Sequence, residues 1–343
     1  MKLNSVQYLR ALAAIAVVAY HCITIMNTES SYGVFSLGTY GVDLFFVISG
    51  FIMLVTTQKP ITPLIFLGKR IRRIVPLYWI VTAVTVVAAI ILPSAFRSTV
   101  PDVSRVVQSL FFIPHYHAVK TTQIWPIVIQ GWTLNYEMFF YLVFAAALGL
   151  SLKNRGVIVI VAMLALVAMG RIWPSGNAIW SCYTSPLMIE FCLGVVIGHA
   201  YLSKSAILLP LVTGIFAVAG VFFLAAVSLG RGVDVGSVGA AILGGAILIE
   251  KRRGGFHNRT ILLLGDASYA IYLFHLFGLG MVRFVGGKLH LDWRAPAIDL
   301  GTLVIGACAG TLVGVLVYLW VEKPLQAWIS SRGQPAEKQP AGA

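Results

Sequence analysis

In RALAAIAVVAYH an arginine and a histidine, Arg10 and His21, flank nine apolar residues and a tyrosine. A guanidinium grips phosphate or carboxylate bidentately, and an imidazole exchanges a proton near neutral pH. On a helix, eleven residues make about three turns with an offset of only about 20° and a rise near 16 Å. Both side chains therefore share one face at different depths, Arg10 near one boundary and His21 in the opposite half. Ionisable groups inside a lipid-spanning helix are costly and mark a functional site by default. Blander roles stay open for each alone: a snorkelling arginine at a helix end, and a neutral histidine bonded to a backbone carbonyl.

Further polar groups sit in apolar surroundings. GWTLNYEMFFY places Glu137 at mid-depth, where a carboxylate needs an arginine or histidine from another span. GVDLFFVISGF carries Asp43 near its outer end, then Ser49 and Gly50. Asp43 also fits a helix N-terminal acid, and Gly50 a packing notch. GDASYAIYLFH holds Asp266 and His275. Glu190 and His199 read as structural, while His115 and His117 fall in an outer segment where exposed histidine is unremarkable. The run KRIRRIVPLYW offers Arg70, Arg72 and Arg73 as a phosphate clamp, or else as a signal of membrane orientation. No Walker loop, dinucleotide fingerprint, HExxH or GxSxG is present. The four cysteines form no CxxC pair and no metal site is expected.

These groups need helices to hold them. The 343 residues are 59% hydrophobic and 11% charged, with mean hydropathy +0.88. Soluble domains are about a quarter charged, so the fold class is all-α, a polytopic transmembrane helical bundle. Windows of roughly 17–25 apolar residues give ten spans: 5–26, 38–57, 74–92, 126–150, 156–172, 183–202, 206–228, 235–250, 260–283 and 297–321. The first outruns a signal-peptide core and is expected to be retained. Segment 108–125, aromatic and broken by Pro114, suits an interfacial or re-entrant piece. Net charge is +13 and pI about 9.8. The cations cluster in short loops, which fits topology and anionic lipid rather than nucleic acid. With the N-terminus inside, 17 of the 25 basic residues are cytoplasmic, so both termini are expected there. A domain over 1–326 and a disordered tail over 327–343 complete the organisation.

RALAAIAVVAYH, GVDLFFVISGFIM, KRIRRIVPLYW, GWTLNYEMFF, SYAIYLFH and VEKPL, in that order, resemble the acyltransferase-3 family of integral membrane O-acyltransferases over about residues 5–326. The opening and the WTLNYEMFFY form are similar to its exopolysaccharide acetyltransferase branch. Asn135 and Met138 depart from the commoner WSLSVEEQFY pattern. The resemblance implies a multi-pass protein of a bacterial-type inner membrane with no tightly bound cofactor. It implies transfer of an acetyl or other short acyl group from cytoplasmic acetyl-CoA (acyl-CoA). The acceptor would be a hydroxyl of a lipid-linked oligosaccharide, an exopolysaccharide or another envelope carbohydrate. By that resemblance Arg10, Arg70, Arg72 and Arg73 bind the donor, and His21 and Glu137 are catalytic.

Residue chemistry and resemblance together suggest a scheme. The arginines anchor the phosphates, the pantetheine arm runs along the first span, and His21 acts as base with Glu137 orienting it. Ser49, Trp132, Asn135 and Tyr269 are candidate oxyanion donors, and Asp43, His115 and His275 complete the acceptor side or support it. Two rivals are a proton-coupled carrier of a sugar intermediate and a noncatalytic subunit of a polysaccharide assembly complex.

Overall fold

Apolar runs fold as helices, some of them opened by a capping side chain such as Thr62, Ser151 or Asn258. The computed structural model describes residues 3–26, 39–94, 96, 99–228, 236–290 and 296–332, among which no strand occurs. In order, α1 is Asn4–Met26, α2 Thr39–Thr56, α3 Pro63–Ile91, α4 Val103–Leu110, α5 Trp132–Ala146, α6 Leu152–Ile172 and α7 Ala178–Tyr183. Then come α8 Met188–Leu202, α9 Leu208–Ser228, α10 Gly236–Arg253, α11 Arg259–Asp266, α12 Ser268–Lys288, α13 Pro296–Val317 and α14 Lys323–Arg332. Every expected span contains a helix. Six stretches are long and apolar enough to cross a bilayer by length and composition: Asn4–Thr24, Pro63–Ile91, Leu152–Ile172, Ala178–Leu202, Ser268–Lys288 and Leu303–Ser331. Tyr40–Thr56 and Leu208–Phe222 are shorter apolar helices. Large apolar side chains such as Ile90, Phe222 and Trp320 face outward, the surface a multi-pass membrane protein presents to lipid.

Four expectations need correction. The third span starts eleven residues early, so KRIRR lies in a helix and not in a loop. Thr62 caps that helix by accepting from the Ile65 amide at 3.4 Å, and Pro63 takes its first turn. The fourth span shrinks to the 15 residues of α5, entered through a 3-10 turn at Ile129–Gly131. Just upstream, the Ile127 amide is taken by Ser109 Oγ at 2.9 Å rather than by a helix carbonyl. The ninth span breaks at Ala267 into α11 and α12. Finally, residues 327–332, read as tail, are helical: a π-turn at Tyr318–Glu322 leads into α14, and Gln326 Nε2 donates to Glu322 Oε1 at 2.8 Å. Residues 333–343 of the expected tail lie outside the described residues.

Two devices fix α1, the helix of Arg10 and His21. At its N-terminus the Glu250 carboxylate accepts from the Asn4 and Ser5 amides at 3.1 and 2.9 Å, satisfying donors a helix start leaves free. Tyr8 adds a bond to the Phe256 carbonyl at 2.8 Å. Deeper in, α13 presses against α1 and α12 along Gly306, Gly310 and Gly314. A Cβ at Gly310 would stand 3.0 Å from Val18 Cγ1 and 3.3 Å from His275 Cβ, and one at Gly314 2.2 Å from Ile271 Cα. Small residues four apart let helix backbones meet this closely.

Aromatic side chains build the other wall. Phe191 of α8 stacks on Phe46 of α2 and Phe140 of α5 at centroid distances of 4.6 and 4.5 Å. Arg155 is buried at the start of α6. It donates to the carbonyls of Thr57, Leu148 and Leu150 at 2.8, 3.0 and 3.2 Å, tying off the ends of α2 and α5.

Candidate active site

A cavity of about 100 Å³ lies among α1, α2, α3, α5 and α12. Arg10, Arg70 and Arg73 bring three cations to it, and Glu137 brings one carboxylate. Arg70 and Arg73 are three apart on α3 and so share a face. Arg72 points away, exposed, and does not line the cavity; the α3 geometry separates it from the donor-binding group expected to contain it. Arg10 is buried, whereas Arg73 is exposed at the rim. Among the described residues no carboxylate reaches salt-bridge distance of these three arginines; the ion pair seen is Arg105 with Asp102, elsewhere. Arg70 Nε is buried without a hydrogen-bond partner. Three guanidinium groups against the one carboxylate in the lining leave the cavity net positive, a receptor for an anion.

Glu137 does not meet His21. Its Oε1 accepts from Ser49 Oγ at 3.2 Å and from the Tyr141 hydroxyl. Tyr141 follows four residues later on α5, on the same face. The expected Glu137–His21 pairing is therefore replaced by a carboxylate held by two hydroxyls on the arginine cavity. Of the candidate oxyanion donors, Ser49 and Tyr269 line the cavity, while Trp132 and Asn135 do not. The Ser49 proton is committed to Glu137, and that of Tyr269 to the Ile74 carbonyl at 2.8 Å. Asn135 is buried, and Trp132 packs edge-on to Phe46 and Tyr136.

His21 finds a different partner. Its Nδ1 lies 3.1 Å from His275 Nε2 and 3.0 Å from the Val17 carbonyl. Neither histidine lines the arginine cavity. Tyr272 links the two places: its side chain lines the cavity, and its carbonyl lies 2.8 Å from His275 Nδ1. Its hydroxyl meets Thr133 Oγ1 at 3.0 Å and donates to the Gln130 carbonyl at 3.0 Å. Tyr141, Thr133, Ser268 and Tyr272 were not singled out from sequence. Tyr141, four after Glu137, and Tyr272, three before His275, carried a helical-spacing signal.

Asp43 is buried near the start of α2 and does not line the cavity. His115 is buried in the irregular stretch after α4, its Nδ1 3.0 Å from the Ile113 carbonyl. In the same stretch His117 Nδ1 accepts from the Val119 and Lys120 amides at 3.2 and 3.0 Å. Burial, then the Lys120 charge, hold this imidazole below its ordinary range. None of the four cysteines forms a disulfide among the described residues.

A family model described as "Acyltransferase domain" matches residues 3–320. The exopolysaccharide production protein ExoZ of Rhizobium meliloti (strain 1021) is 39% identical over 296 residues, covering 85% of this chain and 90% of that one. The acyltransferase MdmB of Streptomyces mycarofaciens is 27% identical, over 97% of this chain and 94% of its own. The peptidoglycan O-acetyltransferase OatA of Listeria monocytogenes is 30% identical over 163 residues, 43% of this chain and 24% of that one. No solved structure matches.

Proposed function

We propose, since this chain belongs to the acyltransferase-3 family, that it moves an acetyl group from acetyl-CoA at the cytoplasmic face to a hydroxyl of an exopolysaccharide or its lipid-linked precursor. The observation that supports this reading is the set of three arginines around one cavity whose lining holds a single carboxylate, Glu137, among the described residues. Arg10, Arg70 and Arg73 take the phosphates of the donor. Glu137, held by Ser49 and Tyr141, leaves the pocket net positive while fixing its floor. The acyl end of the donor extends past Tyr272 toward His21. There the sugar oxygen attacks the thioester carbon as its proton passes to His21, the C–O bond forms, the C–S bond breaks, and His21 returns the proton to the departing sulfur so that the thiol leaves. The polysaccharide acceptor is supported by the names of the exopolysaccharide and peptidoglycan relatives.

The chain sits in the inner membrane with about ten spans and both termini in the cytoplasm. Support comes from a helix at each apolar run and from the bonds between Asn4 and the 250–256 region, which gather basic residues at one end of the bundle. The test is to supply labelled acetyl-CoA to membranes and follow label onto carbohydrate, with His21→Ala and Glu137→Gln at matched protein levels. We expect transfer by the wild type and its loss in His21→Ala. Accumulation of a sugar substrate in vesicles without acyl-CoA, and no label transfer, would favour a carrier instead.

A further inference from the structure

His275 is fully buried on α12, in contact range of α1 and α13. Its Nδ1 lies between two backbone carbonyls, Ile271 at 3.1 Å and Tyr272 at 2.8 Å. A carbonyl oxygen only accepts, so the ring proton is on Nδ1. His21 Nδ1 faces another carbonyl, Val17 at 3.0 Å, and is a donor for the same reason. The atom set 3.1 Å from it, His275 Nε2, must therefore offer a lone pair. The Val17 carbonyl already receives the His21 backbone amide within α1, so it is a shared acceptor. The Nε2 lone pair of His275 has no other hydrogen-bond partner among the described residues.

We propose that His275 is a positioning residue: anchored by the carbonyls of Ile271 and Tyr272, it locks His21 with its proton on Nδ1 and its Nε2 bare toward the acceptor hydroxyl. The atom that takes the proton is thereby chosen by a helix some 250 residues away in sequence. Gly310 of α13 borders this lock: a Cβ there would press on Val18 Cγ1 at 3.0 Å and on His275 Cβ at 3.3 Å, on the two helices that carry the pair. His275 itself exchanges no proton with substrate. It fixes the tautomer and ring plane, as outer partners do for ligand histidines in metal sites.

This inference rests on the reading of His21 as base, and the experiment separates the two. Full-length protein labelled with ¹⁵N-histidine is reconstituted in lipid, and His21→Ala identifies the His21 resonances by their loss. The wild type should show a protonated Nδ1 and a bare Nε2 at His21. His275→Ala should mix the two tautomers and lower kcat about 10–100-fold, part of what a general base supplies, with the KM for acetyl-CoA unchanged. His275→Gln, whose amide oxygen can reach the position of Nε2, should restore the single tautomer and most of kcat. A wild-type spectrum with the proton on Nε2, or an unchanged His21 spectrum in His275→Ala, overturns the His275 assignment while leaving the base reading intact. Full activity in His21→Ala refutes the base reading itself.

Discussion

Successive residues on α3 are about 100° apart, so Arg70 and Arg73 are only about 60° from one another while Arg72 is about 160° from Arg70. The first two line the cavity and the third is exposed. Each is changed to alanine in turn, and initial rates of acetyl transfer are followed against acetyl-CoA concentration in membranes holding equal protein. A hydrogen bond to a charged group contributes about 1.5–3 kcal/mol. Losing one arginine–phosphate contact should therefore raise the KM for acetyl-CoA about 10- to 150-fold. Arg73, at the exposed rim, belongs at the lower end of that range and Arg70 at the upper. Arg72→Ala touches no cavity atom and should stay within about 0.5 kcal/mol, roughly twofold. If Arg72→Ala were as harmful as Arg70→Ala, or Arg70→Ala were silent, the arginine cavity could not be the donor's anchor.

Gly314→Ala forces a Cβ to within 2.2 Å of Ile271 Cα. It should destabilise the protein by about 1–3 kcal/mol, seen as a lower midpoint of thermal unfolding in detergent. Gly280→Ala, on the same helix as His275 and with open space around it, should not. His117 has a folded-state pKa below its ordinary value, so the folded chain binds fewer protons and gains stability as pH rises. That contribution is present above about pH 6.5 and is lost as pH falls through the lowered pKa. Protection of the Val119 and Lys120 amides, taken relative to their intrinsic exchange rates, should fall from pH 7 to 5, and His117→Asn, which keeps an acceptor near Nδ1, should flatten the dependence.

Local patterns were readable and cross-helix partners were not. The apolar runs announced α1, α2 and the other long helices because hydropathy depends on neighbours in sequence. The three-turn spacing of Arg10 and His21 put both on one face for the same reason. Thr62 and Pro63 signalled where α3 begins, yet four cations in the next turns pulled the apolar window downstream. The choice of Glu137 as partner to His21 failed because two buried polar groups admit several pairings. Only the approach of α12 to α1 selects His275, with α13 packed against both through Gly310. The irregular run before α5 is as apolar and aromatic as a span. Pro114 and Pro126 interrupt it, and the Ile127 amide finds its acceptor in Ser109 Oγ, 18 residues upstream.

Arg155 joins the C-terminal ends of two helices that carry different sides of the same chamber: Ser49 and Ile52 on one, Glu137 and Tyr141 on the other. The chamber's width is thus governed by a strut that never touches what enters it. Attempts to reshape the seat of the donor's phosphates by carving only the lining would work against an unmoved frame, whereas relaxing that remote strut alters the grip on the donor without changing a single wall residue.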